Sequence, residues 1–522
     1  MAVDGNNNRF NIHRAFNFQH QRSRYKTQNP PDRMKAKNIR KPLDLPPEII
    51  DIIVHEIALS QDLIREETLK ACSLVSKSFC FPCRRHLFSD LKLVSDKFSE
   101  SRAARLIKIL QNPDSSISLA ACVRSLTLIL DASSSSAHRF IGSKTLGRWL
   151  HKSKVIALTV AARLHLYESN LVKALSLLMQ TPLESFTLHT QGAVKAWETQ
   201  AGVARRMKNA IHIASAASLT TLHLSNLINV DESLIARAVH SNTLKELALT
   251  RVTLRVRDED ANLNLQPTTS QIERLDFKHI SCKQVLRIMG RPTIPSSTPY
   301  PLITFPRLRH LIIPGPWSDL EMETVWEFML GVADTLETLE IEENKWGGNV
   351  FVYLFSTEGK NIQFYFQDSV HLEQLTSLRS LKIITNALDA HGSFNRKLSK
   401  TCQLLSPAAT STPVKIQSLT IQFNVQVLPE TNFYHAQALP SWLELDDILT
   451  GGSYAHLRQV DLGLHFFFVV AASAVPAGWR PQINIDPNHI LSRLSTHPFI
   501  DFRLNIRNFF TPHPMAVYLY SP

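Results

Sequence analysis

Cys80-Phe81-Pro82-Cys83 has the spacing of a redox dithiol, in which one thiolate attacks and a second, two residues away, resolves. It falls between two segments of helical period, and nothing around it reads as a thioredoxin-like unit, so a structural role is expected. Asp258-Glu259-Asp260 offers three carboxylates to a hard cation, but Arg255 and Arg257 stand beside them and a solvated turn accounts for the run. The 21 histidines show no ligand spacing, and His223, between Leu222 and Leu224, reads as a surface side chain. No phosphate-cradling glycine motif, metalloprotease H-E-x-x-H or G-x-S-x-G nucleophile elbow occurs, and glycine totals only 16. No catalytic residue, metal ligand or cofactor is therefore expected, and binding is the chemistry to look for.

Residues 43–93 hold the elements that would position a binding surface. Pro46 and Pro47 sit where a helix can begin, because its first turn has no use for their missing N–H groups, and Asp44 precedes them as a candidate cap. Ile49, Ile52, Ile53 and Ile57 follow at helical spacing, with Glu56 as the one carboxylate in the stripe. A second helix is expected to carry Leu69, Cys72, Val75 and Phe79 on one face, with Leu74 on its flank. A third, over 83–91, would expose Arg84 and Arg85 and bury Leu87 and Phe88. So short a unit with so much apolar surface buries little of it alone and wants a partner.

This segment resembles an F-box, the short helical module by which substrate receptors dock on the Skp adaptor of cullin-RING ubiquitin ligases. The resemblance rests on Leu45-Pro46-x-Glu48-Ile49-Ile50, on Cys72-Ser73-Leu74-Val75-Ser76-Lys77-x-Phe79 and on Arg85-His86-Leu87-Phe88. Many F-boxes carry Trp where this chain has Phe79, which keeps an aromatic plug and loses an indole donor. The resemblance implies an adaptor-facing set of Leu45, Pro46, Ile49, Ile50, Leu74, Val75 and Phe79, some of which must instead hold the helices together. The alternative is an ordinary helical cap on a larger domain, which would bury Leu45, Pro46 and Phe79.

Past residue 93 one phrase keeps returning: apolar, two others, apolar, one other, apolar. It begins at Val123, Val155, Leu183, Leu219, Leu244, Ile272, Leu308, Leu336, Leu378, Ile416 and Leu457, and more weakly at Phe499. The second and third apolar positions lie two apart and so point to one side of a short strand, while the first marks the turn into it. Segments of helical period separate most copies, at 171–179, 234–239, 285–289, 322–330 and 490–494. The pattern resembles leucine-rich repeats, whose strand–helix units bury their apolar faces only by stacking. Successive copies start 25 to 42 residues apart, more irregularly than in regular repeats. Three residues after the final apolar position stand Leu227, Val252 and Ile280, so the polar ladder common there is expected to be missing. The intervals 261–270, 291–305 and 386–413 read as inserted loops. The competing reading is an α/β domain whose parallel strands are buried on both faces and joined by crossover helices.

The net charge of +12 belongs to the amino-terminal arm: residues 1–42 hold ten Lys/Arg against Asp4 and Asp32, which is +8 and leaves +4 for the rest. That arm is expected to be disordered. It reads as a solvated tail, as a nuclear-import or nucleic-acid contact through 35–41, or as an Arg-rich presequence. Six cysteines and no Asn-x-Ser/Thr acceptor fit a reducing cytoplasmic or nuclear setting, and no secretory signal is expected. Residues 462–479 carry no charge, but His465, Ser473 and Pro476 favour a buried strand over 462–470 rather than a membrane span.

The expected fold class is α/β: a disordered basic arm over 1–42, an all-α F-box-like module over 43–93 and an irregular leucine-rich-repeat-like solenoid over 94–522. The resemblance implies a substrate-recognition adaptor of a Skp–cullin–F-box ligase, doing no covalent chemistry and needing no cofactor. Its partners would be a Skp-family adaptor, through it a cullin, and a protein client, with no membrane. The client face is expected among side chains alternating with the buried ones: Thr221, His223 and Ser225; Arg274, Asp276 and Lys278; Thr338, Glu340 and Glu342; Ser380 and Lys382. Its mixed signs do not suit a nucleic-acid groove. The alternative function is a leucine-rich protein-binding scaffold without ligase association.

Overall fold

The structure is a computed structural model, and it describes residues 45–60, 64–95, 99–111, 119–131, 170, 173–174, 177–178, 183–191, 195–196, 218–255, 268–280, 282–289, 303–315, 319–343, 371–387, 392–407, 413–427, 439–471 and 490–513. The arm over 1–42, Asp44, the acidic triplet and the phrase beginning at Val155 lie outside the described residues. The fold is mixed α/β with parallel strands, and the chain forms two compact units, Met1–Val230 and Asp231–Pro522.

The first unit opens with three helices, α1 (Pro47–Leu59), α2 (Arg65–Val75) and α3 (Lys77–Leu87). Pro46 occupies the cap position of α1, and its carbonyl accepts from Ile49 N at 3.1 Å and Ile50 N at 3.2 Å. The continuous helix expected through Leu69, Val75 and Phe79 is broken at Ser76. This residue is extended (φ −150°, ψ 166°), and its hydroxyl accepts from Phe79 N at 3.3 Å to cap α3. The third helix therefore starts at Lys77 rather than near Cys83. Arg84, Arg85 and His86 fall in its last turn, where positive charge suits the helix dipole. Cys80-Phe81-Pro82-Cys83 lies within α3, not between helices.

Next come β1 (Asp90–Ser95), α4 (Ser99–Leu110), β2 (Ser125–Asp131), β3 (Ser185–Gln191), the two-residue β4 (Lys195–Ala196) and β5 (Thr221–Asp231). Strands β1, β2, β3 and β5 are parallel neighbours in that order, with the repeated phrase in register. Leu91, Leu126, Phe186 and Leu222 form one rung, and Leu93, Leu128, Leu188 and Leu224 the next.

The second unit begins with α5 (Glu232–Val239), β6 (Glu246–Arg255), β7 (Thr268–Thr269), β8 (Arg274–Lys278), α6 (Cys282–Ile288), β9 (Ile303–Thr304) and β10 (His310–Gly315). It continues with α7 (Asp319–Leu330), β11 (Thr338–Glu343), β12 (Ser380–Ala387), α8 (Gly392–Leu405) and β13 (Ser418–Val427). It ends with α9 (Pro440–Thr450), β14 (Gln459–Ala471), α10 (Ser492–Ser495) and β15 (Asp501–His513). Strands β6, β8, β10, β11, β12, β13, β14 and β15 pair in parallel in that order. Leu247, Leu275, Leu311, Leu339, Leu381, Leu419, Val460 and Phe502 make a single rung. Most strands alternate buried and open residues, as in β8 and β11, so one face only is covered; β10 is the exception and is buried along most of its length. The small pair β7 and β9 stands apart from this series and occupies parts of the intervals read as loops.

Register is pinned ahead of each strand. The carbonyl of the residue after the first apolar position accepts two N–H groups from the following repeat. Glu273 O accepts from Arg309 and His310, Arg309 O from Glu337 and Thr338, and Glu337 O from Arg379 and Ser380, all at 2.9–3.1 Å. The first apolar residue itself is buried in every described copy except the last. There Phe499 is 70% exposed and Ile500 is buried in its place.

The interval 386–413 is not a loop. It holds α8, whose Phe394, Leu398, Cys402 and Leu405 are buried at helical spacing between polar residues that mask the stripe. Phe394 meets Phe423 of β13 edge-on at 5.1 Å and Trp442 of α9 at 5.9 Å. The expected strand over 462–470 is present as part of β14.

A left-handed residue soon after the phrase is also a repeating device. Asn226, Arg251 and His279, two residues past the final apolar position of their copies, all have left-handed backbones (φ 57°, 53° and 55°). This tips the following Leu227, Val252 and Ile280 into the core. The absence of a polar ladder holds at those three positions but not later. The equivalent residues after β12 and β13 phrases are Asn386 and Asn424, and Asn424 Nδ2 donates to Asn386 Oδ1 at 3.1 Å. Asn386 N donates in turn to Glu343 Oε2 at 2.7 Å.

Candidate functional site

The helical module separates its apolar residues into two sets. Ile50, Val54, Leu69 and Cys83 form a closed core, with Ile57, Ala58, Cys72, Phe79 and Leu87 packed against it. Ile50 is only 3% exposed and Phe79 is half-buried, so these two members of the expected adaptor-facing set hold the helices together. The other five, Leu45, Pro46, Ile49, Leu74 and Val75, are exposed. Ile52 and Ile53, also in the apolar stripe of α1, are exposed as well. Positions 49, 52 and 53 share one side of the helix, with Leu45 just ahead of it, and 50, 54, 57 and 58 share the other. The result is an apolar stripe facing water on a helix whose opposite side is already packed, which is surface suited to an apolar partner. Leu87 and Phe88, expected to be buried, are half-buried.

Cys83 is not an activated thiol. Burial pushes the Cys83 thiol up to about 11, with smaller contributions from Cys72 and Cys80, so it stays protonated near neutrality. His86 lies 5.8 Å from His55, ring to ring. Burial, and then His55, Arg85, Arg124 and Arg65, lower its proton affinity.

The expected client residues all lie on the open side of the strands. In the first unit, Thr221, His223 and Ser225 alternate with buried Leu222 and Leu224 on β5, and Ser225 Oγ is 2.6 Å from His189 Nδ1. In the second unit, Arg274, Asp276 and Lys278 line β8; Thr338, Glu340 and Glu342 line β11; Ser380 and Lys382 line β12. Thr338 faces Ser380, and Glu340 faces Lys382, whose Nζ donates to it at 3.1 Å. Between β8 and β11 the open face is interrupted by Ile312 of β10, opposite both Asp276 and Glu340 and itself buried.

This face is largely self-neutralised. Arg274 sits 3.3 Å from Glu246 and 4.0 Å from Asp276, Lys278 sits 3.6 Å from Asp276, and His279 sits 4.0 Å from Glu342. Asp276 Oδ1 is nonetheless buried without a hydrogen-bond partner. Burial raises the proton affinity of this carboxylate against the opposing pull of Lys278 and Arg274. Deeper in, Glu343 is ion-paired with Lys397 of α8; burial pushes the carboxyl up and the ammonium down, and the charge of each opposes the shift of the other. Sequence reasoning did not single out Glu246, Glu343 or Lys397. Glu246 starts β6, Glu343 ends β11 and Lys397 lies within α8, so their charges meet their partners only once the strands and α8 are brought together.

Beside these surfaces, a polar groove of about 350 Å³ runs along the strand starts of the second unit, with Arg307, Arg309 and Arg379 facing Glu273, Asp334 and Glu337. Among the described residues no group of three or more His, Cys, Asp or Glu is arranged to hold a metal ion, and no helix is long and apolar enough to cross a membrane. No protein-family model matches the chain, and no curated protein sequence matches it.

Proposed function

We propose that the chain is a substrate-recognition adaptor of a Skp–cullin–F-box ubiquitin ligase. The helical module docks on a Skp-family adaptor, and the open strand face, as part of a leucine-rich solenoid, holds a protein client. The observation that carries the reading is the exposed apolar stripe of Leu45, Ile49, Ile52 and Ile53, with Leu74 and Val75 at the end of α2. A helical cap would bury Leu45, Pro46 and Phe79; the first two are exposed, whereas Phe79 is half-buried against the module's own core. The in-register stacking of the repeated phrase and the one-sided burial of most strands support a solenoid over a doubly covered α/β sheet. The protein's contribution is positional: it raises the effective concentration of a client near the ubiquitin-charged enzyme and leaves the chemistry to its partners.

The test is capture of the full chain by purified Skp-family adaptor, beside the Leu45→Ala/Pro46→Ala variant. Stoichiometric capture by wild type, lost in a variant with an unchanged circular dichroism spectrum, is the expected result. Absence of capture by folded wild type would leave a leucine-rich scaffold without ligase association.

A further inference from the structure

Strand β15 pairs with β14 through thirteen successive residues, Asp501 to His513, and among the described residues no strand lies on its other side. Its core-side residues Phe502, Leu504 and Ile506 are only half-buried, whereas Val460, Leu462 and Leu464 beside them on β14 are fully buried. A long outer strand presents a row of backbone donors and acceptors, ready to pair with another strand. The side chains of this one specify which.

About Leu504 the segment is close to a chemical palindrome. Phe499 mirrors Phe509, Asp501 mirrors Arg507, Phe502 mirrors Ile506, and Arg503 mirrors Asn505. Phe499 is 70% exposed and Phe509 37% exposed, while Asp501, Arg503, Asn505 and Arg507 are exposed as well. We infer that β15 pairs antiparallel with β15 of a second copy of this chain, about a twofold axis through Leu504. In that register each Asp501 lies opposite Arg507 of the other copy, and each Phe499 approaches the other Phe509. The apolar residues 502, 504 and 506 continue the core across the junction. Asp501 already contacts Arg503 of its own strand at 2.5 Å, so the carboxylate would sit between two guanidiniums.

The neighbouring registers are disfavoured by the same residues. Antiparallel partners share a face, so the axis moves in steps of one residue while the register slips by two. An axis at Arg503 sets Arg503 against itself. An axis at Asn505 sets Arg503 against Arg507 twice over. Like charges directly opposite destabilise a pair, so of these three registers only the one at Leu504 satisfies the charges, and it pairs a longer stretch of β15 than an axis nearer the strand's start would. A contact of this kind is isologous: each residue pairing occurs twice, and the assembly closes at two copies.

The test is sedimentation velocity on the full chain over a range of concentrations, with circular dichroism to confirm folding. Wild type is expected to dimerise reversibly. Asp501→Arg alone or Arg507→Asp alone should weaken dimerisation on the order of tenfold or more, because each converts two attractive pairs into repulsive ones. An equimolar mixture of the two single variants should associate again, since both cross-strand pairs are then complementary, and that recovery also shows each variant to be folded. A chain that is monomeric at every soluble concentration would overturn the inference. So would a dimer indifferent to the substitutions, or single variants that fail to recover on mixing.

Discussion

The division of the helical module into a core set and a surface set can be tested by changing adjacent isoleucines. Ile49 is 43% exposed and Ile52 57% exposed, so together they leave about one whole isoleucine side chain in water. Burying that much apolar surface against a partner stabilises by ~1.5–3 kcal/mol, which sets an upper bound because association has its own costs. Serine has nearly the helix propensity of isoleucine, so Ile49→Ser/Ile52→Ser leaves α1 intact. The double variant should therefore weaken binding of a Skp-family adaptor roughly 10- to 100-fold without moving the melting temperature. Ile50→Ala should do the reverse. Its side chain is 3% exposed among Val54, Leu69 and Cys83, and truncation there costs ~2–5 kcal/mol of stability. Isothermal titration calorimetry and thermal melts on the same preparations separate the two effects. If Ile49→Ser/Ile52→Ser lowered the melting temperature as much as Ile50→Ala, the helix would be packed in the other phase. If it melted normally and bound the adaptor as tightly as wild type, the stripe would not be the docking surface.

Three further outcomes follow from single residues. Arg251 holds a left-handed backbone that costs an L-residue ~1–2 kcal/mol; Asn tolerates it, as Asn226 does in its own copy, so Arg251→Asn should raise the denaturant midpoint by an equivalent of ~0.5–1 kcal/mol, and a lower midpoint would count against the turn argument. Glu337 lies 3.9 Å from Arg309 and its carbonyl accepts from Arg379 N, so Glu337→Lys sets three cations in a row and should destabilise the second unit by ~1 kcal/mol at low salt, less at high salt; equal midpoints at both salt concentrations would refute it. His86 takes up a proton less readily in the folded chain than its ordinary value of 6.5, so the unfolded chain binds more protons near that pH. The stability is complete above 6.5 and declines as pH falls below it, and His86→Gln should flatten that decline in melts between about pH 5 and 7.

The strands were legible because the phrase marks residues the fold cannot leave in water. Every described copy except the last buries its first apolar residue, and the two that follow form continuous rungs. The phase of α1 was not legible, because Ile49-Ile50 and Ile52-Ile53 are adjacent apolar pairs that give the helix two equally apolar sides. Only the packing of α2 and α3 decides that 50, 54, 57 and 58 face inward. The break at Ser76 was hidden because Leu69, Cys72, Val75 and Phe79 keep helical spacing across it, while a single hydroxyl cap restarts the helix. Helix α8 reads as a loop because Ser393, Asn395, Arg396, Lys397, Ser399 and Lys400 crowd its first half, where only Phe394 and Leu398 are buried. The client face was legible only as alternation; its cross-strand ion pairs join residues 28 to 63 positions apart, which no local pattern connects.

A phrase that repeats cannot by itself say which copy stacks on which, since every copy offers the same apolar rung to every other. In the second unit that ambiguity is resolved by the residue after the first apolar position. It runs Lys245, Glu273, Arg309, Glu337 and Arg379, alternating in sign, with Lys245 3.7 Å from Glu273 and Arg309 3.9 Å from Glu337. The alternation ends at Gln417, where the backbone takes over. The paired stretches are short from β6 to β12, but β12 and β13 pair from Ser380 to Ala387, and β14 and β15 from Asp501 to His513. On β13 the open face changes character from ion pairs to the uncharged Thr420 and Gln422, and the bond from buried Asn424 to Asn386 ties neighbouring strands together. Register is thus held by charge where pairing is short and by backbone hydrogen bonds where it is long. The long end closes on β15, which among the described residues pairs on one side only, and its stacking on β14 leaves the contacts of Asp501 and Arg507 within their own strand, to Arg503 and Asn505.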